Sequence, residues 1–498
     1  MIIQFLVLLL AAISWVAAIW LLIQPDFAGW PQPGVIAFHA APPLAAWLLG
    51  LWLHRRARAG KEAEAKARDD QAQAERQAAL QEAHMKHAEE LRQRRFACDC
   101  RAIAISALAI HADAPLVDVE LPNVEIEQHL ADEDGERAES PILDALTPSI
   151  ADALSRIYLA CRASAVFPIY VAPPSDVSGE DVLARIRAIH SELVETLDTG
   201  ILPGTCSPAI LFLPSRDCAA NSVLSLFEST SDLPGAIVLA FDSPLSRTVR
   251  EEELDDAPTP EQVMRQQQAG KPGQGVIAML LTNAALPSML AAIADAGNGK
   301  QDSMTPFWEK ALQPGGNLAL LVSANAESRR ELAQLPILGR IHRASFREMN
   351  QARTGVLELT RLVQGALERA QVNAGIIDLP FGVEQNAAQP AKKNEEGSAP
   401  QTRCSWIIHN AGGVEVAGKR LAALGSSLYY FGIDLSPVDA ASAMNIVTRI
   451  GDLGRATPVG QLALGVVHAA RRTGPVLCAE YAGDNGVAVS FIMQAESA

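Results

Sequence analysis

Gly235-Ala-Ile-Val-Leu-Ala-Phe-Asp242 carries no polar side chain before its last residue, and Val276-Ile-Ala-Met-Leu-Leu281 repeats the texture further on. Runs this short and this apolar read as strands buried on both faces. Upstream, Arg101 to Ile110, Ala165 to Ala172 and Ala209 to Leu213 have the same character, and Leu318 to Ser323 follows downstream. Between them lie segments with helical periodicity: 150–162, 179–197, 222–231, 286–296, 325–335 and 355–374. Strands alternating with helices predict an α/β fold with a largely parallel sheet.

Beyond this body the last unit, 403–498, opens with a strand over Cys404 to His409. Asn410-Ala-Gly-Gly413 and a helix follow, then a strand over Ser427 to Phe431 and a helix over Ala440 to Arg449. Gly451-Asp-Leu-Gly454 is a turn into a helix over Pro458 to Arg472. Two strands, Pro475 to Tyr481 and Gly486 to Met493, close the chain around a turn at 482–485. The stretch 384–402 holds no large apolar residue and reads as a linker. Glu251-Glu-Glu-Leu-Asp-Asp256 reads as a solvated acidic loop.

The N-terminus has a different character. Ile2 to Ile23 and Val35 to Leu53 are apolar runs, each close to the roughly 20 residues that a bilayer-spanning helix needs. No Lys or Arg precedes Arg55, so the first run lacks the basic n-region of a signal peptide. Arg55, Arg56, Arg58 and Lys61 follow the second run directly, which predicts a transmembrane hairpin with the main body on the cytoplasmic side. Lys61 to Arg95 is rich in Ala, Glu, Gln, Lys and Arg and reads as a solvated helical stalk. The expected divisions are 1–54 hairpin, 55–97 stalk, 98–383 first α/β domain, 384–402 linker and 403–498 second α/β domain.

Composition narrows the function. A net charge of −16 argues against a nucleic-acid partner. The seven cysteines are scattered, and Cys98-x-Cys100 has neither zinc nor redox spacing, so buried reduced thiols are expected. No phosphate-cradling glycine loop, nucleophile elbow, zinc-protease helix or dinucleotide fingerprint occurs. Neither a cofactor nor a metal is expected.

The order of several pieces carries a resemblance. Gly235 to Ser243 precedes a loop, then Lys271-Pro-Gly-Gln-Gly275 and a strand; late in the chain Gly451-Asp-Leu-Gly454 precedes a helix and two strands. This is similar to the thiolase-like fold of ketosynthases. The resemblance implies that Cys218 stands near the nucleophile position and His409 at the first histidine, with Asp452 in place of the second. An aspartate repels the oxyanion that such chemistry must stabilise. The resemblance therefore implies a degenerate cleft and no catalytic residue. The layout of membrane segment, charged helix and degenerate α/β body also resembles the type VI lipase adapter family. That implies a bacterial inner-membrane adapter which binds a lipase effector and helps load it onto a secretion spike protein. An acyl-transfer or condensing enzyme, and a membrane scaffold unrelated to secretion, stand as alternatives.

Overall fold

The computed structural model describes residues 2–23, 31–109, 116, 120–130, 141–174, 177–197, 199, 208–246, 271–298, 317–349, 355–377, 404–412, 414–472, 474–482 and 486–494. The chain forms two compact units, Met1–His87 and Ala88–Ala498. The expected linker at 384–402 and the acidic loop at 251–256 lie outside the described residues.

In the first unit, α1 (Ile2–Ala18) runs into a π-helical turn, Ile19–Ile23. The long helix α2 (Gln32–Arg94) carries both the second apolar run and the charged stalk, with Pro42 and Pro43 inside it. Among the described residues one helix is long and apolar enough to cross a membrane, Gln32–Glu75, while the first run yields the shorter apolar helix Leu8–Leu21. The two runs touch: the Trp15 indole N–H donates to the Phe38 carbonyl at 3.3 Å. An N–H otherwise left bare in an apolar run has strong reason to take such a bond.

In the second unit the described strands form one 12-stranded sheet. In chain order the elements are β1 (Ala97–Ala109), β2 (Val124–Leu130), α3 (Ile142–Ala160), β3 (Ile169–Ala172), α4 (Gly179–Thr196), β4 (Ile210–Phe212), α5 (Ala219–Ser229), β5 (Gly235–Asp242) and β6 (Gln274–Asn283). There follow α6 (Leu286–Asn298), α7 (Leu318–Ser323), α8 (Ala326–Gln334), β7 (Gly339–His342), β8 (Ser345–Glu348), α9 (Val356–Asn373), β9 (Trp406–His409), α10 (Val414–Tyr430) and β10 (Ala443–Asn445). The chain ends with α11 (Ile446–Arg449), α12 (Thr457–Arg471), β11 (Val476–Tyr481) and β12 (Gly486–Met493).

The sheet order is β10-β9-β11-β12-β7-β1-β6-β5-β3-β4, with β2 and β8 paired beside β1 and β12. Read from each edge inward, it is one pattern written twice. In the first half β4, β3, β5, β6 and β1 are the third, second, fourth, fifth and first main strands. In the second half β10, β9, β11, β12 and β7 are the same. In both halves the fifth strand is antiparallel to its neighbours and the second is parallel to the third and fourth. The helices repeat too: α3, α4 and α5 occupy the places of α9, α10 and α12. The two first strands, β1 and β7, pair at the seam. The second repeat therefore starts at β7, upstream of 384–402.

Helices α5 and α12 pack against each other and share one core with both halves. Their buried faces wrap most of the helix, because a central layer is covered on all sides. The outer cores lie elsewhere: one holds α3 and α4, the other α9 and α10.

Four expectations need correction. The sheet is mixed, not largely parallel. Both β5 and β6 are buried along nearly their whole length, and such a strand reads as a continuous apolar run whichever way it points. Ser427 to Tyr430 is helical and ends α10; Leu421, Leu424 and Leu428 are buried while Tyr429 and Tyr430 are exposed, which is helical spacing overriding β-prone side chains. Leu318 to Ser323 is the short helix α7, with Leu321 alone fully buried. In addition, Ala443–Asn445 within the expected helix 440–449 is strand β10, the edge of the sheet.

Candidate functional site

A cavity of about 830 Å³ opens where strand ends and helix starts of both halves meet. Its walls come from the segment before α5, from Asn410 after β9, from the turn before α12 and from the end of β11.

The start of α5 is its floor. Cys218 takes the N-cap position in extended conformation but makes no side-chain capping bond. The cap comes from the other half instead: the Ala219 N–H donates to Glu480 Oε2 at 3.0 Å. A carboxylate at a helix N-terminus meets unsatisfied N–H groups and the positive end of the helix dipole. Burial nevertheless dominates and lifts the Glu480 carboxyl to about 7. The Cys218 thiol is pushed well up from its ordinary value, first by burial and then by the Glu480 charge. The thiolate that a nucleophile requires is therefore disfavoured here.

Asp452 lines the same cavity, but its carboxylate serves its own turn. Oδ1 accepts from Gly454 N–H at 3.0 Å and from the Thr457 hydroxyl at 3.0 Å. Its backbone is zipped to the 271–275 turn: Asp452 N–H donates to the Lys271 carbonyl at 2.7 Å, and Gly273 N–H donates to the Asp452 carbonyl at 2.8 Å. Asp242, fully buried at the end of β5, accepts from Ser243 N–H and Arg455 N–H, each at 2.8 Å. The three segments that carry the family resemblance, 242–243, 271–275 and 451–455, thus form one hydrogen-bonded cluster beside the cavity.

His409 is fully buried and does not line the cavity. Its Nε2 bonds the Pro437 carbonyl at 2.8 Å and its Nδ1 accepts from Ala411 N–H at 3.4 Å, so both ring nitrogens have partners. Burial holds the imidazole down at about 4. The next residue, Asn410, faces the cavity instead, and successive residues of an extended chain face opposite sides. Its side chain bonds the Tyr481 backbone twice, accepting from N–H at 2.7 Å and donating to the carbonyl at 3.2 Å, and so ties β9 to β11. Tyr481 donates its hydroxyl to the Arg420 carbonyl at 3.1 Å and lies under the Arg420 guanidinium.

The structure thus brings Cys218 and Asp452 to one cleft and leaves His409 outside it. Glu480, Asn410, Arg420 and Tyr481 were not singled out in the sequence. Glu480 had a readable signal, a carboxylate inside an otherwise apolar strand. No histidine is among the described residues lining the cleft. Among the described residues no group of three His, Cys, Asp or Glu is placed to hold a metal ion.

No protein-family model matches the chain, and no curated protein matches it. Solved structures do. An oxazolomycin ketosynthase domain of Streptomyces albus is similar at 12% identity over 80% of this chain and 96% of that one, with a TM-score of 0.40. OleA of Xanthomonas campestris with cerulenin matches at 11% identity over 80% and 97%, TM-score 0.41. The peroxisomal 3-ketoacyl-CoA thiolase of Saccharomyces cerevisiae, described as two core domains of identical topology, matches at 10% identity over 81% and 99%, TM-score 0.40. Overlap this loose adds no weight of its own. The twice-written strand order and the paired central helices define the class of this protein: a thiolase-like α/β fold preceded by an N-terminal apolar helix.

Proposed function

We propose that this chain is a non-condensing protein of thiolase-like fold that serves as a membrane-tethered adapter for a protein cargo. The cargo is a lipase effector, passed on to a type VI secretion spike protein, with the body on the cytoplasmic face of a bacterial inner membrane. One observation carries the non-condensing part: Cys218 is enclosed as a thiol beside the Glu480 carboxylate, in a cleft whose described walls hold no histidine. Thioester condensation needs the reverse, a thiolate and donors aimed at an oxyanion. The adapter part rests on the layout of the chain and its family resemblance, and an enzyme fold that has lost its chemistry is free to be reused for binding.

A second reading, an acyl-transfer or condensing enzyme, draws on one specific feature. A carboxyl at about 7 next to a cysteine at a helix start has the proton affinity of a general base for that thiol.

Full-length protein in detergent, mixed with lipase and spike proteins encoded beside its gene, tests the first reading. Co-purification of a stoichiometric complex is expected, with an interface on the order of 800 Å² per partner. Failure to retain any of them removes the adapter reading. Incubation with acyl-CoA thioesters tests the second: turnover that is lost in Cys218→Ala establishes an enzyme.

A further inference from the structure

A separate cavity of about 490 Å³ lies where the start of β9, the edge strand β10 and the C-terminal end of α12 meet. Three arginines line it, Arg449 at the end of α11 and Arg471 and Arg472 at the end of α12, and no carboxylate is among its described lining residues. No described carboxylate pairs with any of the three, in a chain whose net charge is −16.

Aromatic groups form the inner wall. The Trp406 and His468 rings are stacked at 4.8 Å with an interplanar angle of 18°, and the Arg472 guanidinium sits 3.9 Å from the Trp406 ring centre. Trp406 is 5% exposed and His468 is 4% exposed. The Trp406 indole nitrogen and both His468 ring nitrogens are buried with no hydrogen-bond partner, as is Asn445 Oδ1. The Asn445 amide nitrogen, by contrast, donates to the Gly412 carbonyl at 2.6 Å. An unmet buried polar group is costly, so four in one pocket point to a ligand that meets them.

The donor set says what that ligand is. Arg and Trp only donate. Burial, then Arg472 and Arg471, hold the His468 imidazole down at about 4, so it stands neutral with one N–H to give. The negative end of the α12 dipole is equivalent to only about half a charge and does not balance three guanidinium groups. Planar guanidinium forks match the oxygens of phosphate in pairs, and a dianion offsets more of their repulsion than a lone carboxylate does. Two acceptors are spare, Asn445 Oδ1 and the unprotonated His468 ring nitrogen, and both fit hydroxyl groups.

We propose that this cavity, between Trp406, His468 and the arginines 449, 471 and 472, binds a small phosphate-bearing molecule, either a free phosphate ester or a phospholipid headgroup. This site is distinct from the Cys218 cleft and independent of the adapter reading.

The test uses the full chain in phosphatidylcholine nanodiscs, titrated calorimetrically with inorganic pyrophosphate and with glycerol 3-phosphate. Saturable binding is expected, at least tenfold weaker in the Arg449→Gln/Arg472→Gln double variant. Trp406→Phe keeps an aromatic ring but loses the N–H, and weakens binding at least threefold. Discs containing phosphatidic acid separate the two sources: a suppressed titration identifies the headgroup as occupant, and an unchanged one identifies the free ester. If neither ligand binds wild-type protein saturably at millimolar concentration, the proposal falls. It falls equally if the double variant, melting as wild type does, binds with unchanged affinity.

Discussion

Glu480 is the residue on which the chemistry of the cleft turns. Its carboxyl sits at about 7 because burial opposes the charge more than the Ala219 N–H supports it. A folded-state value above the ordinary 4.5 means that the native protein holds this proton more tightly than the unfolded chain does. The ionised carboxylate therefore costs stability above pH 7, and the cost disappears as pH falls towards 4.5. Glu480→Gln keeps an acceptor for Ala219 and has no charge to bury. It is expected to stabilise the protein by about 1–3 kcal/mol at pH 8, the low end allowing for the partial exposure of Glu480 on the cleft, and by nothing measurable at pH 4.5. Denaturant melts at the two pH values check this; equal gains at both would show that charge burial is not the cause. His409 has the opposite sign. Held at about 4, below the usual 6.5, it contributes stability that is lost as pH falls through that interval.

Among the elements, the turn from Gly451 to Arg455 has the most constrained geometry. Gly451 and Gly454 both take positive φ, at 92° and 57°. A Cβ on Gly454 would overlap the Asp242 carboxylate, which is already held by two backbone N–H groups. The turn packs this tightly because it joins the ends of β5 and α12, one from each repeat. Gly454→Ala thus adds both backbone strain and a clash with backbone-fixed atoms. It is expected to destabilise the body by about 3 kcal/mol or more, read as a lowered denaturant midpoint with an unchanged slope. A midpoint within the error of wild type would mean that the turn shifts freely and does not fix the cleft wall.

For the whole molecule, the decisive feature is that two repeats share one central layer. The seam pairs β1 with β7, where Asp99 and Arg340 face each other and the Arg340 Nε donates to the Asp99 carboxylate at 2.7 Å. The proposed membrane orientation belongs to the same scale. Arg55, Arg56, Arg58 and Lys61 follow the apolar part of α2 directly, and basic residues beside a span stay on the cytoplasmic side. Alkaline phosphatase fused after Ala498 is expected to be inactive in cells, and a cytoplasmic reporter at the same point active. A fusion with periplasmic phosphatase activity would reverse the topology.

The sequence by itself determined the α/β class, the two apolar N-terminal runs and the segments 242–243, 271–275 and 451–455. Each of these depends on local signals: runs of buried residues, breakers, and glycines where the backbone needs them. Strand direction was not among them, because β5 and β6 are apolar throughout and full burial leaves no alternation to read. The helix α10 was missed at its end for a related reason, since Leu428-Tyr-Tyr-Phe431 has β-prone side chains and only burial by two layers shows its helical spacing. Tertiary structure alone decided the cleft. Cys218 meets Glu480, 262 positions away, only because the repeats face each other, and the same packing buries the His409 imidazole and turns Asn410 to the cavity. Burial and partner charge set what these groups can do, and both are properties of the assembled fold that no local stretch of chain contains.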